Sequence, residues 1–431
     1  MQETKQNERV VYIVDGARTP YLKAKGVPGP FSAAELAIGA AKPLLQRQPF
    51  TPDKFNEVIV GCASPSEEEA NIARVISLRI GCSNKVPAWT VQRNCASGLQ
   101  AIECAARNIA SGKSDLVLAG GTEAMSRIPL LLNPPMTTWL GRFNQAKTLS
   151  KKLKTTLQFR PSFLVPIIGI LKGLTDPVVN LNMGQTAEEL AYRFNVSRKE
   201  MDQYAALSHQ RTLEAQATGL LSEIVPIYAN DGTVFDQDEG VRSDATPEKL
   251  SKLKPAFEKF GDITAGNSSQ ITDGAAWVIL ASEAAVNKYQ LPVLAKIIDT
   301  AWAALDPAIM GLGPVHAMAP ILKRYQLGFE DIAHIEINEA FAAQIIACQL
   351  AAEDPAFCQE ALGLSSALGQ IKIEQLNPHG GAIAMGHPVG STGARLVLHC
   401  AQMMKNNNNR YAMATLCIGG GQGGAMLLEK V

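Results

Sequence analysis

A cysteine with small neighbours stands at the predicted start of a helix. In residues 91–102, VQRNCASGLQAI, Cys95 follows a short extended segment and precedes an Ala-rich helical pattern that ends near Gly112. The free N–H groups and positive dipole end of a helix favour a thiolate over a thiol. The dipole contributes only ~0.3–1 kcal/mol, so a base must come from elsewhere. A buried core cysteine is the alternative, but the small residues 96–98 leave room for a substrate.

A histidine in the second half is the candidate base. His387 stands between Gly386 and Pro388, just before a helix predicted over residues 391–405. A histidine between glycine and proline suits neither a helix nor a strand interior, which favours a functional role over a core role. His379, eight residues earlier, is a competing candidate, for which we expect a supporting position. For the remaining histidines we expect solvated or core positions: His209, His316, His334 and His399.

Two more polar groups lie at predicted strand ends in the second half. Cys417 follows a strand predicted over residues 411–416, and the glycines at 419–421 let backbone N–H groups approach a ligand. Asn338 ends another predicted strand. A packing role would explain Cys417 alone equally well. Together with Cys95 and a histidine, however, these groups match the parts of catalysis by an activated thiol.

The elements around these residues follow a strand–helix rhythm. Strands are predicted at 10–14, 55–62 and 114–121, and an amphipathic helix at 33–45. The pattern loosens after residue 122, and helices at 184–194 and 198–218 follow. Alternating strands and helices of this kind predict an α/β protein.

A repeated pattern indicates that the α/β unit is duplicated. A helix, an acidic turn and a strand recur at a constant offset of 277 residues, with Pro320 equivalent to Pro43 and Glu330 to Asp53. A second helix–strand–glycine block recurs at an offset of 295 residues, so about 18 residues are inserted in the second half, within 353–374. Duplication brings equivalent loops of the halves together, so Cys95 should face the groups of the second half.

Composition limits the class of protein. The chain has 431 residues, 46% of them hydrophobic and 19% charged, which is typical of a globular protein with buried sheets. Forty basic and 40 acidic residues balance, so nothing favours a nucleic-acid partner. The eight cysteines show no CxxC pair and no metal spacing, which predicts reduced thiols and no metal site. The polar N-terminus shows no signal sequence, so we expect a cytoplasmic protein.

These motifs resemble the signature blocks of the thiolases, from about residue 10 to the last residue. The blocks are VQRNCASG at 91–98, NEAF at 338–341, GGAIAMGHP at 380–388 and CIGGG at 417–421. The resemblance implies two similar halves in five layers, αβαβα, with an inserted loop domain. We expect an N-terminal half at 1–282 with the loop domain at about 122–262, and a C-terminal half at 283–431.

The resemblance also implies a reaction. Cys95, deprotonated by His387, attacks the keto carbon of a 3-ketoacyl-CoA, and Cys417 protonates the acetyl-CoA enolate that leaves. A second coenzyme A then takes the acyl group from Cys95. Coenzyme A is therefore a substrate, and no other cofactor and no metal is implied. The activity is that of an acetyl-CoA C-acyltransferase of fatty-acid β-oxidation. Acetyl-CoA C-acetyltransferase activity on acetoacetyl-CoA is the alternative.

Three further residues receive roles by resemblance. Asn338 holds a water that, with His387, binds the enolate oxygen. The backbone N–H of Gly419 and that of Cys95 form the second oxyanion hole. Ser269 contacts the pantetheine of coenzyme A, although an N-cap or turn serine is the alternative. A β-ketoacyl synthase would lack a Cys417-type acid, and a non-catalytic acyl-binding protein of this fold would lack one of the four catalytic groups.

A long insert at 143–171 resembles that of thiolase subunits from trifunctional fatty-acid-oxidation complexes. Its first part is basic and amphipathic, and the apolar run at 163–171 is too short to span a bilayer. We expect it to contact a membrane surface or a hydratase–dehydrogenase α subunit, or else to be a solvated cover of the substrate tunnel. Asn338 departs from this subgroup, which usually has histidine there. Thiolases imply a homodimer or tetramer.

Overall fold

The computed structural model describes residues 9–406 and 410–431. The strands are β1 Val11–Arg18, β2 Leu22–Lys23, β3 Glu57–Gly61, β4 Ala88–Val91, β5 Leu116–Ala124, β6 Leu130–Leu131, β7 Ile167–Ile168, β8 Ile227–Tyr228, β9 Val234–Phe235, β10 Thr272–Ser282, β11 Ala295–Ala304, β12 Ile332–Ile337, β13 Tyr411–Ile418 and β14 Gln422–Glu429. The helices are α1 Ala33–Gln46, α2 Ile72–Arg79, α3 Ser97–Ala110, α4 Pro134–Gln145, α5 Leu149–Thr156, α6 Gly169–Gly173, α7 Met183–Arg193, α8 Arg198–Ala217, α9 Pro247–Leu250, α10 Glu283–Tyr289, α11 Gly313–Tyr325, α12 Ala342–Glu353, α13 Pro355–Leu362, α14 Ala382–Met385 and α15 Val389–Asn406.

One large mixed sheet runs through both halves of the molecule. Its order is β12-β13-β14-β11-β1-β10-β5-β3-β4, and β2 adds to the end of β10. The halves meet where β1 pairs with β11, through only three residue pairs, from Val11–Ile297 to Ile13–Ala295. The strand β14 lies inside the sheet, between β13 and β11.

The duplication predicted from the repeat is confirmed by strand pairing. In the first half β3 runs parallel to β5, which continues antiparallel to β10 and then β1. In the second half β12 runs parallel to β13, which continues antiparallel to β14 and then β11. The edge strand β4 of the first half corresponds to a single parallel bridge between Ile335 and Leu376. Part of the predicted insertion at 353–374 forms α13.

Helices cover the sheet in five layers, as the resemblance implies. Leu116 and Leu118 on one face of β5 pack with α1 and α2, whereas Val117 and Ala119 on the other face pack with α3 and α15. The same two middle helices cover one face of β13 and β14, and α11 and α12 cover the opposite face. This alternation follows from the two-residue period of a strand, and it buries both faces of the sheet.

The middle helices α3 and α15 touch through glycines. A Cβ atom placed on Gly98 of α3 would lie 2.8 Å from the carbonyl oxygen of Gly390 and 2.8 Å from the backbone nitrogen of Ala394, both in α15. These distances are shorter than van der Waals contact, so only glycine fits. The contact fixes the two helix N-termini beside each other, and Cys95 and His387 precede those termini in the chain.

The segment between β5 and β10 forms the predicted loop region. The helices α7 and α8 confirm the sequence prediction, and each begins with a capping box, made by Asn182 with Gln185 and by Ser197 with Glu200. The predicted start of the loop domain, residue 122, falls within β5, which continues to Ala124. Elsewhere the domain limits stay predictions.

The insert at 143–171 folds into short elements with exposed apolar side chains. It contains the end of α4, then α5, a 3₁₀ turn at Pro161–Leu164, β7 and the start of α6. On α5 and just after it, Leu149, Leu153 and Leu157 are 84%, 62% and 80% exposed. Among the described residues, no helix is long and apolar enough to cross a membrane.

Candidate active site

Cys95 lies in a tight turn between β4 and α3. The preceding residue, Asn94, has a positive φ of 44°, and the Ser97 hydroxyl accepts from the Arg93 N–H and donates to the Asn94 carbonyl. Asparagine tolerates such a left-handed conformation better than most residues. The Asn94 side chain donates to the Gly419 carbonyl at 2.9 Å. The turn therefore presents the Cys95 thiol to the glycine loop of the second half.

The environment of Cys95 favours the thiol, contrary to the expectation from its helix. Burial raises the pKa of Cys95 above its ordinary value of 9.0, although the backbone N–H groups of Gly419 and of Cys95 itself act in the opposite direction. Burial can shift a pKa by several units, whereas a helix N-terminus contributes less than about one unit. Desolvation therefore outweighs the dipole, and the resting nucleophile is a neutral thiol.

His387 is buried before the first turn of α15. Its Nδ1 lies 2.6 Å from Oγ1 of Thr392, a hydroxyl that donates to the Pro388 carbonyl at 3.0 Å. The hydroxyl proton is thereby committed, so Nδ1–H of His387 donates to Thr392 and Nε2 carries the lone pair. Burial, and secondarily the charge of Arg395, lowers the pKa of His387 to about 3. The ring is therefore neutral and its Nε2 can accept a proton.

Asn338 and Cys417 stand at the ends of neighbouring parallel strands. Asn338 directly follows β12, and its Nδ2 lies 3.4 Å from Nε2 of His387. Cys417 is fully buried near the end of β13. Burial, together with the nearby thiol of Cys95, raises the pKa of Cys417 well above 9.0. Cys417 is therefore a protonated thiol close to the nucleophile.

A cavity of about 770 Å³ collects four of the six predicted site residues: Cys95, His387, Cys417 and Ser269. Asn338 and Gly419 are not among its lining residues, but they contact them: Asn338 faces His387, and Gly419 faces Cys95. Ser269 is held in a loop by its backbone N–H, which donates to the Ala340 carbonyl at 2.9 Å. The structure thus brings the predicted groups of the two halves to one place.

Glu123, at the end of β5, is a site residue that the sequence analysis missed. Its carboxylate accepts from the backbone N–H groups of Ala63, Ser64 and Gly390 at 2.9–3.0 Å. Burial raises the pKa of Glu123 to about 7. Gly390 is in the first turn of α15, so Glu123 fastens the helix that follows His387 to the first half. An acidic residue two positions after the paired strand glycines Gly120 and Gly121 was the available sequence signal.

Glu339 is a second residue that was missed. It accepts from the hydroxyls of Tyr204 and Ser208 at 2.9 and 2.6 Å, and from the backbone N–H of Ile383 at 3.1 Å. Burial raises the pKa of Glu339 above its ordinary range. The side chain ties the end of β12 to the loop that precedes His387, so it positions Asn338 and His387 relative to each other.

His379 has a different neighbour from the one expected. Its Nδ1 lies 3.1 Å from Nε2 of His399, in a buried cluster that also contains His334. A position supporting His387 was predicted for His379, but the hydrogen bond of His379 is with His399. Of the four histidines expected in solvated or core positions, His334 and His399 are buried, and they lie among charged side chains.

Both halves match models of one protein family. The family model described as "Thiolase, N-terminal domain" matches residues 11–284, and that described as "Thiolase, C-terminal domain" matches residues 291–430. The chain therefore belongs to the thiolase family, whose members are acyltransferases.

Named relatives and solved structures cover nearly the whole chain. A "Beta-ketoadipyl-CoA thiolase" of Acinetobacter baylyi is 38% identical, over 97% of this chain and 99% of that protein. "Trifunctional enzyme subunit beta, mitochondrial" of Bos taurus is 36% identical, over 99% of this chain and 89% of that protein. The structure of human mitochondrial 3-ketoacyl-CoA thiolase in complex with CoA is 35% identical, with a TM-score of 0.83 and 98% of each chain covered.

Proposed function

We propose that the protein is a 3-ketoacyl-CoA thiolase, an acetyl-CoA C-acyltransferase that cleaves 3-ketoacyl-CoA with coenzyme A. One observation carries the proposal. Cys95 from the first half and His387 and Cys417 from the second line the same cavity, so a nucleophile, a base and an acid meet there. The relatives named for thiolase activity, and the human thiolase solved with CoA, support the substrate class.

The first step is transfer of an acyl group to Cys95. The Cys95 proton goes to Nε2 of His387, and the sulfur attacks the keto carbon, which becomes a tetrahedral alkoxide. Both resting groups are neutral, because the pKa of Cys95 is raised and that of His387 is about 3. The ion pair therefore forms only as the thiolate bonds to the substrate, which protects the free enzyme from side reactions.

Two sets of donors stabilise the oxyanions of the reaction. The backbone N–H groups of Cys95 and Gly419 face the reacting sulfur and would hold the alkoxide. The protonated His387 and a water held by Asn338 would bind the enolate oxygen. The buried Oδ1 of Asn338 has no protein partner and is free to accept from that water. Losing one such donor typically costs about 3–4 kcal/mol of transition-state stabilisation.

Cys417 completes the proton balance. Cleavage of the bond between the second and third carbons leaves acyl-Cys95 and the enolate of acetyl-CoA, and the Cys417 thiol protonates the enolate carbon. A new coenzyme A then gives its thiol proton to the Cys417 thiolate and attacks acyl-Cys95. Shortened acyl-CoA leaves, and the proton on His387 returns to Cys95. The raised pKa of Cys417 keeps it protonated before this step.

Apolar side chains favour an aliphatic acyl group. The cavity is lined by a set of large apolar residues drawn mainly from the loop region: Met125, Leu171, Leu174, Met183, Leu250, Leu253, Phe257, Met310, Phe341 and Ile383. Leu171 and Leu174 come from α6 and just after it, so the insert contributes to the cavity wall. Desolvating an alkyl chain here contributes about 0.8 kcal/mol per CH₂ group.

A dicarboxylic acyl group is a second candidate. The relatives named as β-ketoadipyl-CoA thiolases favour it, and Lys23 and Arg242 also line the cavity. Arg242 is paired with Asp244, however, which leaves it less available for a substrate carboxylate. Activity restricted to acetoacetyl-CoA remains the third candidate.

Thiolysis across a series of substrates tests these candidates. The rate with coenzyme A would be measured on 3-ketoacyl-CoA chains from four to sixteen carbons and on 3-oxoadipyl-CoA. Rates that rise with chain length support the proposal, whereas preference for the dicarboxylate or for acetoacetyl-CoA would replace it. Cys95→Ala should be inactive on every substrate, and Cys104→Ala, which changes a cysteine in α3 that does not line the cavity, should be active. An active Cys95→Ala variant would contradict the mechanism.

We also propose that the insert at 143–171 contacts a membrane surface or a hydratase–dehydrogenase partner subunit. On α5 the exposed leucines are interspersed with lysines, and the bovine relative is named a subunit of a trifunctional enzyme.

A homodimer or tetramer is proposed from the family resemblance, with the exposed edge strand β4 available for pairing. Light scattering of the purified protein checks the assembly state.

A further inference from the structure

A buried cluster of metal-binding residue types lies outside the cavity of the active site. His334 and Glu336 are two residues apart on β12, so their side chains point to the same face of the sheet. His399 approaches them from α15, which packs on that face. One ligand atom of each residue lies within 4.8 Å of the other two. All three side chains are at most 2% exposed.

Two of the ligand atoms have no hydrogen bond. Nε2 of His334 and Oε1 of Glu336 are buried and lie 3.3 Å apart, yet their geometry does not form a hydrogen bond. Buried polar atoms nearly always have a partner, and an atom without one calls for a specific explanation. A histidine nitrogen and a carboxylate oxygen that face each other at this separation can bind the same cation.

Outer contacts aim the remaining ligand atoms inward. Nδ1 of His399 donates to Glu223 at 3.1 Å, so Nε2 of His399 carries the lone pair. Oε2 of Glu336 accepts from Arg395 at 2.7 Å, which leaves Oε1 for the cluster. A histidine whose second nitrogen donates to a carboxylate is the usual arrangement at a metal ligand. Nδ1–H of His379 donates to Nε2 of His399 at 3.1 Å, and a bound ion would take the place of that hydrogen bond.

The charges around the cluster favour a cation. The carboxylates of Glu223, Glu336 and Asp238 face the guanidinium groups of Arg18 and Arg395. With neutral imidazoles, the acidic groups outnumber the basic ones by one. A buried excess of negative charge is costly unless it is balanced.

We propose that His334, Glu336 and His399 bind one divalent ion of the zinc class. Two imidazole nitrogens and one carboxylate oxygen form a donor set that zinc accepts in tetrahedral geometry with a water as the fourth ligand, and calcium and magnesium would require more oxygen ligands. The ion would join β12, which ends just before Asn338, to α15, which follows His387. Its role is structural, because none of its ligands lines the cavity of the active site.

Metal counting on purified protein tests the proposal. Protein without an affinity tag would be incubated with zinc chloride, gel-filtered and measured by elemental mass spectrometry. We expect one zinc per chain, and loss of it in His334→Asn and in Glu336→Gln. His316→Ala, a histidine outside the cluster, should keep the zinc, and so should Cys95→Ala, which removes the reactive thiol of the cavity.

Wild-type protein that retains no zinc would overturn the proposal, as would equal retention by His334→Asn. Because a buried variant can misfold, the wild type loaded with zinc provides a second measurement. X-ray absorption should show a shell of nitrogen and oxygen, and a shell of sulfur would place the zinc on cysteines and overturn the site. Neither readout depends on catalysis, so the outcome is independent of the proposed thiolase activity.

Discussion

In the resting protein the nucleophile Cys95 is a neutral thiol, and its protonation state can be measured directly. Since the pKa of Cys95 is raised above 9.0, the thiolate fraction at neutral pH is small and grows with pH. We expect the rate of Cys95 alkylation by iodoacetamide to rise about tenfold per pH unit between roughly pH 7 and 9, because only the thiolate reacts. Peptide mass spectrometry of the modified cysteine measures the rate. A plateau below pH 8 would show instead that the cysteine is already ionised.

Glu123 links the two halves beside the nucleophile, and Glu123→Gln tests that link. Glutamine cannot accept all three N–H groups that the carboxylate accepts, so we expect a loss of about 1–3 kcal/mol in the free energy of unfolding. The negative charge of Glu123 also raises the pKa of Cys95, so the alkylation profile should move to lower pH. Urea unfolding and the iodoacetamide assay measure the two effects.

Glu57→Gln is the matched control for Glu123→Gln. Glu57 is also buried in the first half and accepts three hydrogen bonds, from Trp89, Asn108 and Ser114. The Glu57→Gln variant should be less stable than the wild type, but the pH profile of Cys95 alkylation should not shift. A profile that stays unchanged in Glu123→Gln, or moves equally in both variants, would contradict the electrostatic role of Glu123.

Sequence reasoning finds the residues that react more easily than those that hold them. Cys95, His387 and Cys417 were predicted because each stands beside glycines or small residues at the end of an element. Glu123 and Glu339 were missed, because their partners are backbone groups from distant segments that only the folded chain brings together. The pKa direction of Cys95 was also wrong, because burial is a tertiary property.

At the scale of elements, the contact between α3 and α15 sets the distance between the nucleophile and the base. We expect Gly98→Ala to lower the free energy of unfolding by about 1–3 kcal/mol and to lower kcat, because the new methyl group would push the two helices apart. Gly141→Ala, on α4, is the control, since a Cβ atom at residue 141 would have no neighbouring atom within 4 Å. It should be neutral or stabilising by up to about 1 kcal/mol.

Thermal unfolding and steady-state thiolysis measure these two glycine variants. A Gly98→Ala protein with normal stability and kcat would show that the helices adjust without displacing the site. Equal effects of both substitutions would mean that glycine content, not the helix contact, determines the result.

Long buried elements were predictable and the short exposed ones were not. The helices α1 and α8 match their predicted ranges within about a residue, because their apolar periodicity and capping residues are strong signals. In the insert, β7 and α6 are only two and five residues long and mostly exposed or half-buried. Such pieces depend on local tertiary contacts, and no periodicity of their own identifies them.

At the scale of the whole molecule, substitutions in the insert at 143–171 test whether the protein binds a membrane surface. We expect the wild type to sediment with anionic vesicles at low salt, and the triple variant Leu149→Gln, Leu153→Gln, Leu157→Gln to remain in solution. These side chains are exposed, so thiolysis and stability should change little, by about 0.5 kcal/mol or less for each substitution.

Matched substitutions at exposed leucines elsewhere, Leu78→Gln, Leu220→Gln and Leu350→Gln, should leave vesicle binding intact. A wild type that does not sediment would rule out the membrane proposal and leave the partner-subunit proposal, which a pull-down with a hydratase–dehydrogenase subunit would then test.

The duplication of the α/β unit was predictable from two ordered repeats. The joining of the halves into one sheet was not, since it rests on three residue pairs.

The place of β14 affects how the protein is made in the cell. This strand is the last in chain order, yet it lies between β13 and β11 in the interior of the sheet. During synthesis the ribosome therefore exposes β12, β13 and β11 before the strand that joins them is available. The second half cannot close until β14 has been translated, and the pocket that needs Cys417 forms only after that point. A nascent chain would thus emerge with unpaired strand edges, which makes this half the natural client of chaperones.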